Sequence, residues 1–76
     1  KKVEDEAVGF IKGESDEIHV FECKINPERF SAISVRKFRR YYPGGKNYCF
    51  SPYVENSYQL RFGELEVRFI SGLSGL

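Results

Sequence analysis

The sequence predicts a mainly β fold, a small antiparallel barrel of about five or six strands, comparable in size to an SH3 or OB domain. Three observations favour this class. Apolar residues alternate with polar ones in several short segments, and Gly, Pro, Asn and Ser separate those segments. A chain of 76 residues has room for one small core. Closure into a barrel would remove exposed strand edges. We expect one domain over residues 1–72, with 73–76 as a loose tail.

The first element predicted is an N-terminal hairpin. Its arms are residues 7–13 and 17–25, and the polar segment "GESD" between them has the composition of a turn. In the second arm Phe21 and Cys23 share one face, while Val20 points to the other. Because both faces carry apolar residues, this arm is expected to be a central strand.

A short helix is predicted next, near residues 27–32. Asn26 is a favourable N-cap residue, and Pro27 suits the first helical position because its missing N–H has no partner there. The acidic Glu28 in the first turn adds to this helix-start signal.

Residues 33–42 allow two interpretations. Ile33 and Val35 are β-branched and two positions apart, which favours a strand entering the basic segment. On helical spacing, one side instead gathers the apolar residues Phe30, Ile33, Phe38 and Tyr41. We take the strand as the prediction and a full helix as the alternative.

The second half of the chain predicts one more strand and a hairpin. "NYCFSPYV" alternates, and Pro52 should end that strand because proline cannot donate a ladder hydrogen bond. In "SYQLRFGELEVRF", Gly63 and Glu64 suit a two-residue type II′ turn. That turn predicts three apolar pairs on one face: Phe62 with Leu65, Leu60 with Val67, and Tyr58 with Phe69. On the opposite face it places Arg61 opposite Glu66, and Gln59 opposite Arg68.

The titratable residues indicate a protein without catalytic or metal chemistry. The sequence has a single histidine, His19, and its two cysteines, Cys23 and Cys49, form no CxxC pair. The segment Gly44–Lys46 lacks the pattern of a phosphate-binding loop. We therefore predict a non-enzyme with no cofactor and no metal. Free thiols are favoured over a disulfide, although the sequence allows either.

The charges are unevenly distributed along the chain. Half of the 12 cationic residues lie between 29 and 46, where no acidic residue occurs, whereas residues 1–28 hold eight acids and four lysines. Tyrosines are interleaved with these cations, and that combination is typical of surfaces that hold phosphates and stack bases. We predict a nucleic-acid-binding segment over 36–48, with single strands favoured. Its candidate residues are Arg36, Lys37, Arg39, Arg40, Tyr41, Tyr42, Lys46 and Tyr48.

Other partners are also compatible with the sequence. An SH3-like or Tudor-like module could line a peptide groove with its five tyrosines, and an obligate oligomer could complete its core against a second copy. No signal peptide or membrane-spanning stretch is visible, so we expect an intracellular protein.

The segment "ISVRKFRRYYPGGKNYCFS" resembles the strand–turn–strand unit of single-stranded-DNA-binding transcriptional coactivators over about nineteen residues. That resemblance implies a basic strand leading through a Gly/Lys-rich turn. The family continues into a dimerising helix, whereas here Phe50 leads to Pro52 and another hairpin. We therefore assign no family.

Overall fold

The computed structural model describes the backbone of residues 6–71 and the side chains of residues 8–71. Five strands and one α-helix occupy this part of the chain, with a short 3-10 turn before the helix. They are β1 (Glu6–Lys12), β2 (Ile18–Lys24), the 3-10 turn (Pro27–Arg29), α1 (Ala32–Tyr41), β3 (Asn47–Ser51), β4 (Tyr58–Phe62) and β5 (Leu65–Ser71). The predicted tail, 73–76, lies outside the described residues. Within the described range, no helix combines the length and apolar character needed to span a membrane.

The strands form one five-stranded sheet in the order β1-β2-β3-β5-β4. The prediction of a mainly β fold is confirmed. The antiparallel prediction is wrong for the centre of the sheet, where β2, β3 and β5 run parallel. Over the described residues the sheet is also open, with β1 and β4 as its edges, and the predicted closure into a barrel is not found.

Both predicted hairpins are confirmed. β1 and β2 pair antiparallel, and β2 is a central strand between β1 and β3. In the second hairpin all five predicted pairs occur, including Leu60 opposite Val67 and Arg61 opposite Glu66. Gly63 has a φ of 69°, the positive value that a turn with Gly in its first position requires.

The predicted strand over 33–42 is wrong, because this segment is the helix α1. The Ser31 side chain caps its first turn by accepting a hydrogen bond from the Ile33 amide. Val35 is 3% exposed, whereas Ile33 is 63% exposed, so the two β-branched residues lie in different environments. A helix here also provides the long crossover that parallel pairing of β2 with β3 requires.

The short helix predicted near 27–32 is present as the 3-10 turn Pro27–Arg29. The Asn26 side chain accepts a hydrogen bond from the Glu28 amide, as expected of an N-cap. β3 ends at Ser51, immediately before Pro52, as predicted.

The main hydrophobic cluster lies on one side of the sheet. Its buried residues come from β3, β5 and the loop after β3, and they are Cys49, Val54, Val67 and Phe69. Ile70, which alternates with Phe69 in β5, is also buried and faces the other side. Phe30, from the end of the 3-10 turn, packs on Phe69 with its ring centroid 5.5 Å away. Helix α1 contacts this same side, because its Arg39 bonds to the inward-facing Asn47. We call this the helix side of the sheet.

Candidate nucleic-acid interface

The outer face of α1 carries most of the exposed cations of the predicted binding segment. With 3.6 residues per turn, Arg36, Lys37 and Arg40 fall on the side opposite the buried Val35, and all three are exposed. Tyr41, at the end of the helix, is 79% exposed. These four residues are what we call the basic helix face.

Arg36 is partly engaged within the protein. One of its terminal nitrogens donates a hydrogen bond of 2.9 Å to the carbonyl oxygen of Phe62 at the β4–β5 turn. The residue nevertheless remains exposed, and a guanidinium has five N–H donors. Arg36 can therefore bind the turn and an external phosphate at the same time.

Arg39 has a different environment from the other cations of the helix. Its guanidinium donates to Oδ1 of Asn47 at 3.0 Å and to three backbone carbonyls of the loop that follows the helix, at 2.7 to 2.9 Å. Burial lowers the pKa of Arg39 from its ordinary value. Four of its five N–H donors are thus used inside the protein, and its main observable role is to hold the loop 42–46.

The predicted tyrosines do not lie on one surface. The Tyr42 ring stacks on Phe38, with centroids 4.9 Å apart, and Phe38 in turn packs on Phe10 of β1. Tyr48 points to the opposite side of the sheet, because it alternates with the helix-side Asn47, and its ring stacks on Phe21. Tyr48 therefore lies on the other side of the sheet from the helical cations.

The loop 43–46 is fixed against the start of β2. Gly45 has a φ of 122°, and a Cβ at this position would overlap the carbonyl oxygen of Ile18. The Lys46 amide donates to Nδ1 of His19 at 3.0 Å, while Nε2 of His19 lies 4.0 Å from the Glu17 carboxylate. The Lys46 side chain is exposed. This structural role of His19 has no signal in the sequence.

A groove of about 590 Å³ opens beside this loop, at the start of β3 and β5. Its walls include the cations Lys46 and Arg68 together with the acids Glu64 and Glu66. Because both signs of charge line it, the groove lacks the uniform positive potential that attracts phosphate.

A buried charged pair lies on the helix side of β2. Glu22 is 6% exposed, and its Oε2 lies 3.6 Å from Nζ of Lys24. The backbone of Glu6 in β1 lies opposite Lys24 in the ladder. Sequence reasoning missed this pair. The signal was present, since Glu22 and Lys24 share the face of Val20 in a strand predicted to be central.

The thiol of Cys49, which lies opposite Glu22 in the β2–β3 ladder, is affected by this charged pair. Burial raises the pKa of Cys49 to about 12, and the negative charge of Glu22 contributes in the same direction. Cys23 is exposed, and both cysteines are free. In the part of the chain that the structure describes, no three His, Cys, Asp or Glu side chains are grouped so as to hold a metal ion.

Comparisons with protein-family models, with curated proteins and with solved structures found no match for this chain. Function is therefore inferred from the geometry and the charge of the surfaces described above.

Proposed function

We propose that this protein is a non-catalytic nucleic-acid-binding domain that contacts phosphates through the basic helix face. One observation carries the proposal: Arg36, Lys37 and Arg40 are exposed on one side of α1, in a segment that contains no acidic residue from 29 to 46. Positively charged side chains on a rigid helix attract a polyanion. Each one that contacts a phosphate can release a counterion condensed on the nucleic acid.

Tyr41 would supply the stacking contact. It is 79% exposed, and it follows Arg40 directly at the end of the helix. Lys46 would add one phosphate contact from the loop after the helix, since its side chain is exposed and its backbone is held by His19 and Arg39. One exposed ring beside a short row of cations suits an unpaired strand, whose bases are free to stack.

The expected affinity is modest and depends on salt. Arg39 uses its donors internally, so about three or four phosphate contacts remain, from the basic helix face and Lys46. On single strands this number gives a slope of about −2 to −3 in a plot of log K against log salt.

The test is a fluorescence-anisotropy titration of a short single-stranded oligonucleotide at several salt concentrations. The variant Lys37→Ala/Arg40→Ala should flatten the salt slope by about 1.4, because two contacts of about 0.7 each are lost. A matched control, Arg61→Ala/Arg68→Ala, removes the same charge from the other side of the sheet and should leave the slope unchanged.

Two results would overturn the proposal. The first is no binding by the intact chain at low salt. The second is an equal loss in both double variants, which would indicate attraction to the overall charge rather than binding at α1.

A further inference from the structure

The side of the sheet away from α1 carries a row of aromatic side chains. Phe21 of β2 stacks on Tyr48 and on Phe50 of β3, with centroid distances of 5.0 and 5.4 Å and interplanar angles of 12° and 14°. All three side chains are only half-buried. Neither α1 nor any other described helix or strand lies over them, since the described helical segments pack on the helix side. We call this surface the open face.

An open face of this kind is unusual for the strands that form it. β2, β3 and β5 are parallel neighbours. Parallel sheets are normally covered on both faces, most often by helices, and their strands are apolar on both faces for that reason. Here no described helix covers the side away from α1. Only Ile70, beside Phe50 at the end of β5, is buried there. The aromatic row has the composition of a surface that packs against a second layer.

The ring geometry favours a protein layer over nucleic-acid bases. Because Phe21 stacks on both Tyr48 and Phe50, part of the π-surface of these rings is already used. A base-binding platform offers ring faces instead. Side chains of a packed helix can interdigitate with such a ridge.

A notch beside Phe21 adds to this complementarity. Gly9 of β1 lies opposite Phe21 in the ladder, and a Cβ built at Gly9 would meet nothing within 4 Å. Ile11, two residues further along the same face of β1, is 55% exposed. A large apolar side chain from a partner fits over Gly9, between Ile11 and the Phe21 ring.

The charges along the β5 edge of the open face indicate the sign of the partner. Arg61 lies opposite Glu66 in the β4–β5 ladder, whereas Arg68 lies opposite the uncharged Gln59. Arg68 is exposed, and although it shares a groove with Glu64 and Glu66, no ion pair within the described range joins it to either. An acidic side chain on the partner would complement it.

We propose that the open face docks an amphipathic α-helix of a partner protein. The helix places large apolar side chains along the row from Phe21 to Phe50, with one of them over Gly9. Its flank next to β5 is acidic and faces Arg68. This surface lies on the opposite side of the sheet from the basic helix face, so both could be occupied together.

The experiment uses a displayed library of helical peptides of about twenty residues, which share a leucine stripe at helical spacing and carry Glu, Lys or Ser at random on both flanks. Selection on the intact chain should yield saturable binders with Glu on one flank. Bound peptide should also slow thiol labelling of Cys23, which is exposed on the open face, where it lies opposite Phe50 in the ladder.

Three variants test the geometry. Gly9→Val fills the notch where no neighbour is displaced, and it should weaken the selected peptide roughly tenfold, as about 1.4 kcal/mol of lost contact would. Arg68→Glu should change the selected flank from Glu to Lys. Tyr41→Ser, on the basic helix face, should leave peptide binding unchanged.

The proposal is overturned if no peptide is enriched, if the flanks show no preference for Glu, or if Gly9→Val binds as well as the intact chain. Sedimentation showing that the open face is covered by a second copy would also overturn it. So would an oligonucleotide that slows Cys23 labelling while the peptides do not.

Discussion

Nε of Arg39 lies 3.0 Å from Oδ1 of Asn47, and this hydrogen bond joins the last turn of α1 to the first residue of β3. Asn47 in turn donates to the Glu66 carbonyl oxygen at 3.1 Å. A single chain of polar contacts therefore connects the helix, β3 and β5. Asn47 is buried, so loss of its partner leaves a polar atom without compensation.

Arg39→Ala should destabilise the protein by about 1–3 kcal/mol, because it leaves Oδ1 of the buried Asn47 without its donor. The carbonyls of Gly44 and Lys46 keep their bonds from the amides of Ile18 and Val20. The measurement is urea denaturation. Arg40→Ala, which removes an exposed neighbour of the same charge, should change stability by no more than about 0.5 kcal/mol. Equal effects of the two substitutions would show that the Arg39 contacts do not matter for folding.

Val67→Ala should cost about 2–3 kcal/mol, from lost burial and the cavity left behind, since Val67 is 0% exposed. Its ladder partner Leu60 is 46% exposed, and Leu60→Ala should cost less than half as much despite removing more atoms. The midpoints of chemical denaturation compare the two. The reverse order would contradict the burial described for this hairpin.

Gly45→Ala should destabilise by about 1–3 kcal/mol, because Gly45 has a φ of 122° and a Cβ there would overlap the Ile18 carbonyl. Gly9→Ala is the matched control. With no atom near its Cβ, it should be neutral or stabilise by up to about 1 kcal/mol through the unfolded state. Thermal unfolding of both variants measures the difference, and an unaffected Gly45→Ala protein would show that this loop is not constrained.

Cys49 should make stability fall at alkaline pH. Its pKa is raised to about 12 in the folded protein from an ordinary value of 9.0. The unfolded thiol therefore ionises first, and this contribution to stability is full below pH 9 and is lost as the pH rises from about 9 to 12. Denaturation midpoints across this range measure it, and Cys49→Ala should show a shallower decline.

A thiol assay at neutral pH gives an independent check on Cys49. One thiol, Cys23, should react in the native protein, and the second only after unfolding, because Cys23 is exposed and Cys49 is buried. Rapid reaction of both thiols in the native state would contradict the burial of Cys49.

The elements that could be predicted are those whose determinants are close together in the sequence. The pairing of Tyr58 with Phe69 follows from strand alternation and from the conformation that Gly63 allows, all within thirteen residues. The N-terminal hairpin and the end of β3 at Pro52 follow from equally local signals.

The parts that could not be predicted depend on distant contacts. Ile33 and Val35 lie in a helix rather than a strand, and Val35 is 3% exposed there, because tertiary packing overrides weak local propensity. The parallel pairing of β3 with both β2 and β5 has no local signature. The sequence predicted the same phosphate-binding role for Lys37, Arg39 and Arg40, and it gave no sign that the Arg39 guanidinium bonds to Asn47 and the loop carbonyls.

The parallel ladder also has a consequence for the order of assembly. Within each hairpin, β1–β2 and β4–β5, the partners are near neighbours along the chain, whereas Val20 must find Asn47 across the whole of α1. Closing that long loop costs entropy before any contact compensates for it. We expect the two hairpins to form early and β3 to insert between them late. Until that insertion, the facing edges of β2 and β5 are open to pairing with other chains, so the period before β3 is seated is when this protein is most prone to aggregate.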